Sequence, residues 1–111
     1  MKIPNNNQSF VADNKITDYL LSEIHETGKY KAYFFKSFGF NLKDINILRS
    51  SLIQHSKDRS ISKIQDSEFG IKYELKCKIK TPDDRNPCIV TVWLVEKESS
   101  APKLITAYPS R

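Results

Sequence analysis

Long apolar runs are missing from this sequence. None approaches the ~18 residues that a membrane-spanning helix needs. The segment after Met1 and Lys2 is rich in Asn, where a secretory signal peptide would be apolar. We therefore expect a protein with no membrane partner that resides in the cytoplasm.

Cysteine is scarce, with only Cys77 and Cys88 in the chain. Two cysteines are too few for a disulfide scaffold, and neither has a Cys or His at zinc-ligand spacing, so no metal site is predicted. If residues 81–87 form a hairpin loop, counting the register places Cys77 opposite Cys88, where a cross-strand disulfide is geometrically conceivable. The alternative, favoured in the cytosol, is two reduced thiols that pack as small hydrophobes.

The signature motifs of several enzyme classes are also missing. The chain has no Gly-rich phosphate loop, no Gly-x-Gly-x-x-Gly and no Gly-x-Ser-x-Gly. These absences exclude kinases, dehydrogenases and serine hydrolases, and the two histidines do not have the spacing of a zincin pair. The remaining chemistry is general acid–base catalysis, and no cofactor is predicted.

Positive charge is what the chain has in excess. Its 111 residues include 18 Lys plus Arg and 13 Asp plus Glu, so the net charge is +5 and the pI is about 9.2. This charge favours a polyanion such as RNA as partner and is compatible with an acidic protein partner. The length predicts one domain over residues 1–111, with a helical half at about 14–57 and a sheet half at about 61–108.

Apolar residues at three-to-four spacing predict three helices in the first half of the chain. Gly28 and Gly39 stand where the first two helices should end. The second helix carries three of the six Phe and should anchor the core. The helices are expected at about residues 14–25, 29–38 and 41–57.

The second half predicts strands. Residues 71–80 alternate strictly between apolar and charged side chains, which is typical of a strand buried on one face. Residues 88–95 are apolar on both faces and indicate a central strand, whereas 61–65 and 103–108 are shorter candidates. The predicted fold class is therefore α+β, with N-terminal helices packed on one face of a four-stranded antiparallel meander.

The polar segment from residue 25 to 31, between the first two helices, contains the first candidate site. An imidazole at His25 could move a proton while the ammonium groups of Lys29 and Lys31 hold a phosphate. The alternative is a surface histidine that caps a helix beside solvated lysines. His55 lies on the apolar stripe of the third helix, so we interpret it as a packing residue.

Lysines form a second candidate site along the strand 71–79. Their side chains could follow a phosphate backbone, or could simply be the solvated face of a sheet. Lys76 and Lys78 are the candidates for contact with substrate within the series Lys72, Lys76, Lys78 and Lys80.

Two further pairs each share one face of a strand, Thr91 with Trp93 and Thr106 with Tyr108. One interpretation is core packing with an added hydroxyl. If both pairs lie on the open face with the lysines, they would instead supply stacking rings and hydroxyl donors for RNA.

Short motifs along nearly the whole chain resemble a small, uncharacterised bacterial domain family associated with toxins. The members occur at the ends of polymorphic toxins or as free-standing reading frames. The order of helices followed by a meander is in turn similar to the superfold of barnase, EndoU, colicin and RelE ribonucleases, many of which cut RNA without a metal. The matching residues are Asn14–Leu21, His25-x-x-Gly28-x-x-Lys31-Ala32-x-x-Phe35, Phe38–Phe40, Phe69-Gly70, Thr91–Trp93 and Leu104–Tyr108.

The resemblance implies a metal-independent ribonuclease in which the ribose 2′-hydroxyl of an RNA such as tRNA attacks the adjacent phosphate. His25 would carry the proton. Lys31, assisted by Lys29, would stabilise the phosphorane charge, and Thr106 would donate a hydrogen bond to a phosphate oxygen. Trp93 or Tyr108 would stack on a base.

Glu26 departs from the family pattern, which has Pro after the histidine, and its carboxylate would compete for the lysines. Two alternatives to an active ribonuclease therefore stay open. One is an inactive nuclease-fold protein that acts as a binding or immunity-type partner in a toxin system. The other is a basic module that binds RNA without cutting it.

Overall fold

The computed structural model describes residues 1–110 and has three helices followed by four strands. A short 3₁₀ turn (Asn6–Gln8) precedes the first helix. The helices are α1 (Asp13–Lys15), which continues as a π-helical turn (Ile16–Leu20), α2 (Gly28–Ser37) and α3 (Ile45–Asp58). The strands are β1 (Ile61–Ser67), β2 (Gly70–Lys78), β3 (Cys88–Glu96) and β4 (Lys103–Pro109).

The four strands form one antiparallel sheet in the order β1-β2-β3-β4. Each strand pairs with its neighbour in the chain, so the sheet is a meander. The helices precede the sheet and cover one of its faces. The predicted α+β class and strand order are confirmed.

The core lies between β3 and the helices. Trp93 and Ile89 on β3 are fully buried, and they belong to one apolar cluster with Phe35 of α2 and Leu48 and Leu52 of α3. Burial of each large apolar side chain contributes about 1.5–3 kcal/mol, so this cluster holds the helices on the sheet.

The first helix is shorter than predicted. It ends at Leu20, whereas the sequence pattern extends to about residue 25. The hydroxyl of Ser22 accepts hydrogen bonds from the backbone N–H groups of Ile24 (3.3 Å) and His25 (3.1 Å). This side chain therefore satisfies the donors that a longer helix would have used, and the chain turns there.

The N-terminal segment is tied to the sheet. The N–H of Phe10 donates to the carbonyl of Pro102 at 2.8 Å, and the N–H of Leu104 donates to the carbonyl of Phe10 at 2.9 Å. Ile3 is buried in the core. These contacts cover part of the outer edge of β4 with backbone from the start of the chain.

An irregularity at Cys77 interrupts the alternation of β2. Its φ of 116° is unusual for a residue other than glycine. Lys76 precedes it and lies on the open face, in register with Val90. Lys78 follows it and lines a cleft with His55 and Arg59 instead. The expected single ladder of lysines is therefore corrected to two separate groups.

The register also differs by one position from the count made on the sequence. Cys88 is the partner of Lys78, and Cys77 is the partner of Ile89. Both cysteines are free.

A buried chain of hydrogen bonds joins α3 to the sheet. The indole N–H of Trp93 donates to Thr91 Oγ1 at 2.9 Å, and Thr91 Oγ1 lies 2.9 Å from His55 Nδ1. His55 Nε2 lies 2.9 Å from the carbonyl oxygen of Cys77. Because a carbonyl only accepts, Nε2 carries the hydrogen and Nδ1 accepts from the Thr91 hydroxyl. His55 is thus a neutral, fully hydrogen-bonded packing residue.

Acid should destabilise the fold through His55. Burial lowers the pKa of His55 to about 4, from 6.5 for a free side chain. Between these values the unfolded chain binds a proton that the folded protein excludes. The contribution of neutral His55 to the free energy of unfolding is therefore complete above pH 6.5. About 3 kcal/mol of this free energy is lost as the pH falls towards 4. Urea unfolding across this pH window measures the loss.

The matched variant is His55→Gln, which keeps hydrogen-bonding groups but does not titrate. Its unfolding free energy should depend less on pH over the same window, whatever its absolute stability. An identical pH dependence in the two proteins would contradict the claim that the buried His55 side chain causes the loss of stability in acid.

Candidate active site

Tyr19 and Thr106 meet where the first helix lies beside the edge strand β4. The two hydroxyl oxygens are 3.1 Å apart, although 87 positions separate the residues in the chain. Both side chains are half-buried. This contact places an ionisable hydroxyl and a second hydrogen-bonding hydroxyl together at the edge of the sheet.

Two ammonium groups lie over the ring of Tyr19. Lys15 Nζ is 5.4 Å and Lys31 Nζ is 5.3 Å from the ring centroid. Partial burial acts to raise the pKa of Tyr19. Hydrogen bonds from Thr106 and Lys31, with the positive charges of Lys31 and Lys15, lower it by more, so the net pKa lies below the ordinary 10.0.

His25 also contacts Tyr19. Its ring meets the Tyr19 ring edge-on, with the centroids 4.9 Å apart. His25 Nδ1 accepts hydrogen bonds from the backbone N–H groups of Thr27 (3.1 Å) and Gly28 (2.9 Å), so the imidazole caps α2. Because Nδ1 is an acceptor, the neutral ring carries its hydrogen on Nε2. Within residues 1–110, Nε2 has no hydrogen-bond partner.

Gly28 allows the start of α2 to approach the first helix. A Cβ atom at this position would lie 2.3 Å from the backbone oxygen of Tyr19. Any side chain there would push α2 away from Tyr19. The close approach of His25, which caps α2, to the Tyr19 ring therefore requires glycine at position 28.

Tyr19, Thr106, His25 and Lys15 border an open cleft of about 550 Å³, and Lys31 lies next to it over the Tyr19 ring. The cleft offers cations, a hydroxyl pair and a free imidazole N–H, which together suit an anionic ligand that undergoes proton transfer. The lining residues are Asn14, Lys15, Asp18, Tyr19, His25, Ile105 and Thr106.

The structure brings together three of the residues predicted from the sequence as catalytic, His25, Lys31 and Thr106, around Tyr19. Lys29 points elsewhere, with its Nζ 5.3 Å from the ring of Tyr30. Among the described residues, Glu26 forms no ion pair with either lysine.

Thr91 and Trp93 correct the sequence interpretation. Both are 0% exposed and lie on the face covered by the helices. Their hydroxyl and indole N–H are used in the chain to His55. The expectation that they share the open face with the lysines is therefore not met, and Trp93 is not accessible to a base.

Tyr108 and Lys76 lie on the open face of the sheet. Val90 stands between them in the register, and the two residues border a shallow cleft of about 480 Å³ with Glu74. Burial and the negative charge of Glu74 raise the pKa of Tyr108. Lys78 does not line this cleft but the one beside His55 and Arg59.

Tyr19 and Lys15 were not among the site residues predicted from the sequence. The available signal was their spacing, since residues four apart on a helix are neighbours and can place a cation on a ring.

Among residues 1–110, no three His, Cys, Asp or Glu side chains are grouped as a metal would require. No helix in this part of the chain has the length and apolar character to cross a bilayer.

The fold and cleft define a small α+β domain with a cationic, hydroxyl-rich site at a sheet edge. The family model described as "Domain of unknown function (DUF6883)" matches residues 2–111, and the chain belongs to that family. A search of curated proteins gives no match.

A solved structure shares the fold. It is a chain from the "Contact-dependent growth inhibition toxin - immunity protein complex from Klebsiella pneumoniae 342". The TM-score is 0.72 and the identity 24%, over 90% of this chain and 98% of that chain. At this identity, the similarity shows a common fold alone.

Removal of the Lys31 charge should raise the pKa of Tyr19. Lys31→Met deletes a hydrogen-bond donor and a positive charge from the phenolate, so Tyr19 should ionise at higher pH than in the parent protein. A residue-resolved NMR titration of the tyrosine rings measures this, with Tyr19→Phe providing the assignment. Lys29→Met is the matched control on the same helix and should leave the Tyr19 titration unchanged. Equal shifts in both variants would contradict a specific role of Lys31.

Proposed function

We propose that this protein is a ribonuclease-type toxin domain that cleaves RNA by attack of a 2′-hydroxyl on the adjacent phosphate. The observation that supports it is the convergence of Thr106, Lys31, Lys15 and His25 on Tyr19, which lines an open cleft. This reaction needs a proton acceptor, a proton donor and cations, and the cleft contains residues suited to each task.

In the proposed mechanism, Tyr19 takes the proton. As its phenolate, it accepts the proton of the 2′-hydroxyl while the 2′-oxygen bonds to phosphorus. The bond from phosphorus to the 5′-oxygen breaks, and the ammonium of Lys31 protonates the leaving oxygen. Proton transfer from Tyr19 back to Lys31 restores both groups. The products are a 2′,3′-cyclic phosphate and a free 5′-hydroxyl.

The role of His25 differs from the proton carrier that the resemblance implies. Protonation at Nδ1 would break both capping bonds to α2. We therefore assign His25 to hydrogen-bond donation from Nε2 to a phosphate oxygen, with Thr106 and Lys15 stabilising the same charge.

The open sheet face supplies a path for the rest of the RNA. Thr106 and Tyr108 are two positions apart on β4, a separation of about 7 Å. Tyr108 can stack on a base beside the cleft, and Lys76 can contact a phosphate further along the same face. Lys78 and Lys29 lie off this path and add only general positive charge.

The assignment to a toxin system follows the fold neighbour. Its printed description concerns a growth-inhibition toxin and its immunity protein, and the fold match covers almost all of that chain. We infer that the present domain serves in such a system, on one side of the pair or the other.

Purified protein should cleave total RNA in the presence of a chelator. Tyr19→Phe and Lys31→Met should each reduce the rate roughly 100-fold, because each removes a proton-transfer or charge-stabilising group. Gel analysis of total RNA measures the cleavage. The matched controls are Lys29→Met and Lys43→Met, which should cut at the parental rate.

His25→Asn separates chemistry from structure. Asn is a good helix cap, so it can replace Nδ1 as acceptor but lacks the free N–H of the ring. Loss of cleavage with an unchanged circular dichroism spectrum supports the donor role. Full activity of this variant limits His25 to capping, and intact RNA with the folded parent protein would overturn the ribonuclease proposal.

A second candidate function is favoured by exposed apolar side chains beside the site. Ile24 is 94% exposed, and Tyr30 and Tyr33 also project into solvent from the same turn and helix. Such a group is typical of protein interfaces. The domain would then act as the binding, immunity-type member of a toxin pair.

Coexpression with the product of the adjacent reading frame tests this second function. Ile24→Asp and Tyr33→Asp should weaken the complex at least ~10-fold while RNA cleavage, where present, is unchanged. Isothermal titration calorimetry measures the affinity. Ile64→Asp, on the distant strand β1, is the control, and an equal effect there would argue against an interface at α2.

A further inference from the structure

The thiols of Cys77 and Cys88 meet across β2 and β3. The register makes them diagonal neighbours, which in regular strands would point to opposite faces. The φ of 116° at Cys77 departs from regular strand geometry, and the two thiols are close enough for each to shift the pKa of the other. A disulfide needs Cα atoms about 4.4–6.8 Å apart, which neighbouring positions on paired strands satisfy.

The unusual backbone at Cys77 is held from both sides. Its carbonyl accepts the hydrogen bond from buried His55, at 2.9 Å. Just beyond it, the N–H of Ile79 donates to the carbonyl of Pro87 at 3.1 Å. These bonds fix the backbone at Cys77, whose side chain is exposed.

The surroundings make the two sulfur atoms different. A hydrogen bond from Cys88 lowers the pKa of the Cys77 thiol, and the charges of Arg59 and Lys78 add to this. Burial, followed by contact with Cys77, raises the pKa of the Cys88 thiol. Cys77 is exposed and Cys88 half-buried. The Cys77 sulfur is thus suited to act as a nucleophile, and the Cys88 sulfur to form the disulfide with it afterwards.

We propose that Cys77 and Cys88 form a peroxide-reactive pair, in which Cys77 attacks the oxidant and Cys88 then closes a reversible disulfide between β2 and β3. The substrate class is a hydroperoxide. No part of this site belongs to the cleft around Tyr19, so the proposal is independent of the ribonuclease activity.

The chemistry proceeds in two balanced steps. The Cys77 thiolate attacks one peroxide oxygen, the O–O bond breaks, sulfur is oxidised to a sulfenic acid, and hydroxide leaves and takes up a proton as water. The Cys88 sulfur then attacks the Cys77 sulfur. The S–S bond forms, the S–O bond breaks, and a second water leaves with the Cys88 proton.

The test is treatment of the reduced full-length protein with hydrogen peroxide. Intact mass should decrease by two hydrogen atoms per monomer, both cysteines should become resistant to thiol alkylation, and dithiothreitol should reverse the change. In Cys88→Ser, a sulfenic acid should accumulate at Cys77 and be trapped by dimedone. In Cys77→Ser, the remaining thiol should stay reduced at the same dose.

Charge variants test the activation of Cys77. Lys78→Gln should slow disulfide formation roughly 3- to 10-fold, because it removes a charge that favours the thiolate. Lys97→Gln, in the exposed turn after β3, is the matched control and should not change the rate. Free thiols after a dose that oxidises glutathione would overturn the proposal. So would exclusively intermolecular dimers, or equal reactivity of the two single-cysteine variants.

Discussion

The hydrogen-bond chain from Trp93 through Thr91 and His55 to the Cys77 carbonyl is the interaction on which the other features depend. It crosses the covered face of the sheet and fastens α3 to two strands at once. Every polar atom along it has a partner, and a buried donor or acceptor left alone typically costs about 1–3 kcal/mol. The same chain holds the backbone of Cys77 in its unusual conformation. That conformation in turn separates Lys76 from Lys78 and exposes one thiol.

Burial assigns different tasks to the same residue types. His55 is enclosed, neutral and structural, whereas His25 is exposed and has a free N–H beside a cleft. Thr91 has its hydroxyl consumed inside the core, whereas Thr106 offers its hydroxyl at the sheet edge. The polar groups on the covered face thus stabilise the fold, and those at the edge next to β4 are available to a ligand.

Much of the fold was predictable, because it depends on local patterns. The alternation in residues 71–80 and the apolar run in 88–95 predicted adjacent strands, and both are present. The orientation of β3 was not predictable, because a strand that is apolar on both sides gives no signal for which face the helices cover. The contact of Tyr19 with Thr106 joins distant parts of the chain, so helical spacing showed only an apolar stripe. The positive φ of Cys77 depends on a partner in α3 and has no local signature.

The absence of a side chain at Gly28 has a consequence for how such a domain could diverge. The backbone of α2 rests directly on the carbonyl of Tyr19, so no insertion of bulk can widen the gap between them. New ligand preferences would have to arise at other lining positions of the cleft, such as Lys15 and Ile105. A substitution there changes the lining without changing the contact between α2 and Tyr19. Diversity on a fixed backbone is then a matter of exchanging a few exposed side chains.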